Sequence, residues 1–291
     1  MTALVTSFFH RPTSTWTHVA SDPASHTAVV IDPVLDFEPA SGRIDTHAAH
    51  AVLDYLHDKQ LSLVWILETH AHADHLSAAA WLRTRTGAPV AIGAGITIVE
   101  ATFKPRLGLS DSFPANGSSF DRLLHTGERL PLGTLEVEVM ATPGHTPDSV
   151  SYRIGDAVFI GDTLFSPACG SARCDFPGGD AATLYDSVQR LYQLPPETRV
   201  YLCHDYPPDG VAPRAQVSLA EERESNAHLA AHVTKEAFVE LRMRRDTTLA
   251  VPRLLWPSLQ VNIRAGHLPS PDINGQRFLQ LPLDIGAWEV T

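Results

Sequence analysis

The run His70-Ala-His72-Ala-Asp74-His75 places three imidazoles and one carboxylate within six residues. Packing does not explain so many polar side chains together, so the run reads as a ligand cluster that a rigid scaffold must hold. Its flanks indicate the scaffold. Residues 61–67 (LSLVWIL) are an apolar run of strand length, and residues 75–86, stopped by Gly87, read as a helix. The same placement recurs three times. His145 follows the alternating stretch 135–140, where Leu135, Val137 and Val139 face one way and Glu136 and Glu138 the other. Asp162 follows the strand pair 149–154 and 157–160, which turns at Gly155-Asp156. His204 follows the strand 199–203 (RVYLC). Loops at the ends of strands are where a rigid sheet usually carries its site. Strands alternating with helices point to a layered α/β fold.

The remaining elements fit that class. Residues 28–32 (AVVID) read as a strand closed by Pro33, and 89–92 as another. Residues 46–60 read as a helix with Ala49, Val52, Leu53 and Leu56 on its apolar stripe. Asp180 is placed to cap a helix running to about 193, with Leu184, Val188 and Leu191 inward and Pro195-Pro196 beyond its end. Charged helices are expected over 217–232 and 234–245, followed by short proline-rich segments. The reading is a catalytic domain over 1–210 and an extension over 211–291 packed on it.

Composition narrows the function. With 22 Lys+Arg against 33 Asp+Glu, the net charge of −11 argues against sequence-independent binding to nucleic acid or to an anionic membrane. No apolar run approaches the ~20 residues of a membrane span, and the first residues lack a basic start followed by an apolar stretch. Three cysteines, Cys169, Cys174 and Cys203, are too few for a disulfide framework, so a reducing cytoplasm is expected. Cys169 and Cys174 do not have CxxC spacing and read as small residues lining a loop.

Imidazole and carboxylate donors suit Zn, Fe and Mn. Taken in order, HxHxDH, His145 in TPGHTPDS, Asp162 in IGDTLF and His204 in CHDY resemble the metallo-β-lactamase superfamily. The resemblance implies an αββα sandwich, with two mixed β-sheets flanked by helices and a metal at one edge. The branch is marked by Arg173-Cys-Asp-Phe176 and the glycines after it, by CHDYPP, by the EER of residues 221–223 and by the NIRAG of residues 262–266. These look like the persulfide dioxygenases, in their bacterial β-lactamase hydrolase-like subgroup.

That resemblance implies an enzyme that turns glutathione persulfide, O2 and water into glutathione and sulfite, using one Fe(II) per chain. The family's iron ligands map onto His70, His145 and Asp162, two His and one carboxylate. His72, Asp74, His75 and His204 are implied to support the ligands by hydrogen bonds. Arg173 matches a position that grips a glutathione carboxylate, and Tyr206 a tyrosine near the iron that reaches the substrate. Arg264 reads as structural. A homodimer, and a functional link to a rhodanese or a sulfide:quinone oxidoreductase, stay open. One alternative is a glyoxalase II-type hydroxyacylglutathione thioester hydrolase with a dinuclear zinc site, which shares HxHxDH and GDTLF. Another is a metal-binding sensor that has lost catalysis; the complete set of donors speaks against it.

Overall fold

The computed structural model describes residues 2–283; the last eight residues of the expected C-terminal extension lie outside them. Two six-stranded sheets face each other. The first contains β1 (Leu4–His10), β2 (Thr15–Asp22), β3 (Thr27–Ile31), β6 (Ser62–Leu67), β8 (Val90–Gly93) and β9 (Arg122–Leu124), in that order. A small sheet beside it joins β4 (Val34–Glu38), β5 (Arg43–Asp45) and β7 (Leu76–Ser77). The second contains β10 (Arg129–Leu132), β11 (Leu135–Ala141), β12 (Val150–Ile154), β13 (Ala157–Phe159), β14 (Arg199–Tyr201) and β15 (Gln216–Ser218). Both large sheets are mixed: β3, β6, β8 and β9 pair in parallel, as do β13 and β14, while the other pairs are antiparallel.

The period of two along each strand builds the layers. Val29 and Ile31 of β3 point between the sheets, where they meet Val137, Val139, Tyr152 and Phe159. Ala28 and Val30 point outward and are covered by α1 (His47–Asp58), α2 (Ala79–Thr86), α3 (Ile96–Arg106) and α7 (Leu255–Asn262). On the other side, Val158 and Val200 meet α4 (Ala181–Leu191) and α6 (Lys235–Asp246), with α5 (Leu219–Ser225) nearby. The α/β class and the αββα sandwich are as expected.

Helix starts follow the capping signals. Asp180 accepts the Thr183 N–H at 2.7 Å, and Thr234 accepts that of Ala237. Two expectations are corrected. The helix expected over 217–232 ends at Ser225, because Asn226 takes an extended backbone and its side chain accepts the N–H groups of His228 and Leu229. The helix expected from 75 begins at Ala79, because Leu76 and Ser77 pair with β4 instead.

Candidate metal centre

Each donor loop leaves the end of a strand, and the structure brings these ends to one edge of the sandwich. The loop after β6 is fixed first by backbone accounting. Asp32, at the end of β3, accepts the Thr69 N–H at 2.7 Å and the Thr69 hydroxyl at 2.9 Å. Asp148 accepts the Ala71 N–H at 2.7 Å, and the Tyr152 hydroxyl donates to the Glu68 carbonyl at 2.6 Å. The Gly-Asp turn must then pass close to this loop. Gly161 has φ +52°, and a Cβ there would lie 2.6 Å from Thr69 Oγ1, so only glycine fits.

His70, His145 and Asp162 converge, with one donor atom of each within 4.8 Å of the others. Asp162 Oδ2 lies 3.9 Å from His70 Nε2 and 3.7 Å from His145 Nε2. The opposite ring nitrogens are tied down. His145 Nδ1 donates to the Arg173 carbonyl at 2.6 Å. Since Thr69 spends its proton on Asp32, its hydroxyl accepts from His70 Nδ1 at 3.1 Å. Both Nε2 lone pairs are thereby turned toward the carboxylate.

His72, Asp74, His75 and His204 form a second convergent set, again with one donor atom of each within 4.8 Å of the others. His204 Nε2 stands 3.3 Å from both Asp74 Oδ2 and Asp162 Oδ1, bridging the two sets, while its Nδ1 donates to the Ser14 carbonyl at 3.1 Å. The seven expected metal-site residues therefore lie together. His70 Nε2, His75 Nε2 and His72 Nδ1 are buried and find no hydrogen-bond partner among the described residues, while His72 Nε2 faces Asp32 Oδ1 at 3.0 Å. Buried polar atoms are rarely left so, and lone pairs aimed at one another are the donor set that a cation satisfies.

The electrostatics agree. Burial, and then the neighbouring His72, hold His70 well below the usual imidazole range; burial and His75 do the same to His72. Both are therefore neutral, the form that ligates. Burial pushes the Asp162 carboxyl up, but its imidazole neighbours, His204 first among them, outweigh it and bring it below its ordinary value.

The set opens into a cleft of about 710 Å³ walled by Phe165, Phe176, Tyr206 and Leu249. This is within the usual range for a small-molecule site. The Tyr206 ring is exposed and stacks on His204, with centroids 5.9 Å apart. Arg173 lines the cleft, but its guanidinium is occupied: Asp175 takes Nε at 2.6 Å and Nη2 at 2.7 Å, and the Ala250 carbonyl takes Nη1 at 2.7 Å. Arg245, from α6, also lines the cleft, and its guanidinium has no hydrogen bond or ion pair among the described residues. Arg264 is half-buried, with its guanidinium over the Phe113 ring. Cys169 faces the cleft, whereas Cys174 is buried and its thiol is pushed up to about 12 by burial, then by Asp246.

Sequence reasoning missed Asp32, Asp148, Arg245 and Asn262. A carboxylate closing an apolar strand was a readable signal for Asp32, and TPDS was one for Asp148. Arg245 lies on a helix whose docking no local pattern discloses.

Comparison with known proteins agrees with this geometry. The family model for the metallo-beta-lactamase superfamily matches residues 22–204. The Beta-lactamase hydrolase-like protein of Agrobacterium fabrum is 47% identical over 97% of this chain, which spans 65% of that protein's length. Glyoxylase B2 of Dictyostelium discoideum is 46% identical over 90% of this chain and 91% of its own. Mitochondrial persulfide dioxygenase ETHE1 of Homo sapiens is 28% identical over 90% of this chain and 89% of its own. The crystal structure of ETHE1 from Myxococcus xanthus is similar with a TM-score of 0.71 and 34% identity, covering 91% of this chain and 100% of that one. A family match across most of the chain, on a sandwich whose histidines and aspartates gather at one sheet edge, places this protein in the metallo-beta-lactamase superfamily.

Proposed function

We propose that this protein is a persulfide dioxygenase that oxidises the outer sulfur of glutathione persulfide with O2 and water, yielding glutathione and sulfite, with one Fe(II) held by His70, His145 and Asp162. The observation that carries the reading is the pairing of two imidazoles and one carboxylate on a chain that matches ETHE1 of Myxococcus xanthus over 91% of its length. Two His and one carboxylate leave coordination positions open, the arrangement of non-haem Fe(II) oxygenases. When bound there, Fe(II) supplies the redox chemistry that O2 needs to react with a sulfur lone pair. The chain's own residues do the rest. The Arg173 carbonyl and Thr69 hydroxyl orient the ligand imidazoles, Phe165 and Phe176 keep the cleft apolar near Asp162, and Tyr206 offers a hydroxyl at its wall.

Glutathione brings two carboxylates, and Arg245 is the guanidinium left without an anion among the described residues at the cleft. Replacing Arg245 with alanine is expected to raise KM about tenfold with kcat and metal content unchanged, as for loss of one charged hydrogen bond. Arg173→Ala is expected to retain the metal, because His145 is held by the Arg173 backbone carbonyl rather than by its side chain. Metal loss in the Arg173 variant, or an unchanged KM in the Arg245 variant, would assign those residues otherwise.

A second reading, thioester hydrolysis of the glyoxalase II type, is favoured by one observation. His72, Asp74, His75 and His204 make a second donor set beside the first, as a dinuclear zinc centre needs. Metal content and O2 uptake, measured together on anaerobically purified protein given glutathione persulfide, separate the two. About one iron per chain with O2 consumed and sulfite formed supports the dioxygenase. Two zinc ions, no O2 uptake and turnover of a hydroxyacylglutathione would establish the hydrolase.

A further inference from the structure

The NIRAG stretch lies almost two hundred residues from HxHxDH in sequence, yet its first residue sits against that run. Asn262 closes α7 and is buried. Its Nδ2 donates to the carbonyls of both His72 and His75, each at 2.8 Å. Its Oδ1 accepts the Ser77 N–H, also at 2.8 Å. One planar amide thus captures three backbone groups of the loop that carries His72, Asp74 and His75.

The surroundings keep that amide in place. Gly266 has φ +81°, and a Cβ there would lie 2.9 Å from the Ala80 N and 3.0 Å from the Ser77 carbonyl, so the turn after Asn262 is seated on the same segment. Ser77 is fastened from the other side, where its hydroxyl donates to Glu68. Spanning two carbonyls three residues apart fixes their separation, and with it the reach of the His72 and His75 rings. The His72 ring packs on that of His70 with centroids 3.9 Å apart, so a shift of the loop reaches the first donor set too.

We infer that Asn262 is a positioning residue of the metal centre, holding the histidine loop at the spacing its donors need. The inference rests on the superfamily's metal centre and not on the reaction assigned to it. Groups that orient ligands from outside typically govern metal affinity by ten- to a hundredfold.

The test uses the full chain and Co(II), whose visible spectrum reports ligand geometry. Asn262→Ala is expected to weaken Co(II) binding about tenfold or more by chelator competition, and to change the Co(II) absorption bands, with the far-ultraviolet circular dichroism retained. Asn262→Asp keeps the size and the acceptor for Ser77 but turns a carboxylate oxygen on the two carbonyls, and is expected to weaken Co(II) binding at least as much. Unchanged Co(II) affinity and spectrum in folded variants would overturn the inference, leaving Asn262 as a packing residue only. Should neither variant fold, the unmutated protein decides. The clamp and the metal are reciprocally linked, so adding Co(II) is expected to slow hydrogen exchange of the Ser77 amide. An exchange rate indifferent to Co(II) would overturn the inference equally.

Discussion

Asp162→Ala is expected to yield folded protein that is poor in metal and at least about a thousandfold less active. Asp162 is the carboxylate that faces both His70 and His145, and its second oxygen faces His204. Its removal leaves imidazoles converging with no anion to balance a divalent cation at that point. A bound metal contributes several kcal/mol to such reactions, and about 4 kcal/mol corresponds to a thousandfold. Metal analysis beside turnover checks both parts. Full occupancy in this variant would show that the centre is built from the other donor set. Asp162→Asn is the sharper companion, since it keeps the shape and removes only the charge.

The donors were legible because chemistry was written locally. Three histidines in six residues, and single His or Asp residues directly after apolar strands, need no knowledge of distant contacts. The sandwich was legible for the same reason: period-two patterning in β11 and the apolar run of β6 report burial directly. Strands β1 and β2 were not legible. Thr15 and Asp22 are buried polar residues within β2, so its pattern does not look like a core strand. The end of α5 was hidden too, because Asn226 stops it through side-chain bonds to the backbone, against a run of helix-forming residues.

What surrounds the donors was least legible. Asp32, Asp148 and Asn262 act on the histidine loop from 37, 77 and 185 or more residues away. Each carries some local signal, but none shows locally what it will touch. Its role arises only when the chain folds and the loop's N–H and C=O groups need partners away from water. Arg173 shows the converse. A motif marks its position, but the fold gives its guanidinium to Asp175 and its carbonyl to His145, so two roles share one residue.

The largest stability effect is expected at Arg242. This side chain is 1% exposed, and it donates to Asp246 and, at 3.0 Å, to the Ser171 carbonyl. Asp246 in turn accepts the Cys174 N–H at 2.9 Å. The pair therefore pins residues 171–174 to α6, and within that loop lies the carbonyl that orients His145. Arg242→Met leaves the Asp246 carboxylate buried without its cation, which typically costs about 3–5 kcal/mol. Chemical denaturation in excess chelator measures this without any contribution from bound metal. Asp246→Leu added to Arg242→Met removes the stranded charge and is expected to recover part of the loss. Recovery stays incomplete because the Cys174 N–H then lacks its acceptor, at about 1–3 kcal/mol for a buried group. A single-variant loss below about 1 kcal/mol would mean that water reaches Asp246 and that the pair does not hold the loop. If the loss is as large as expected, the double variant should stay weaker in metal affinity even where stability returns, because stability needs only the charge removed whereas His145 needs the loop in place.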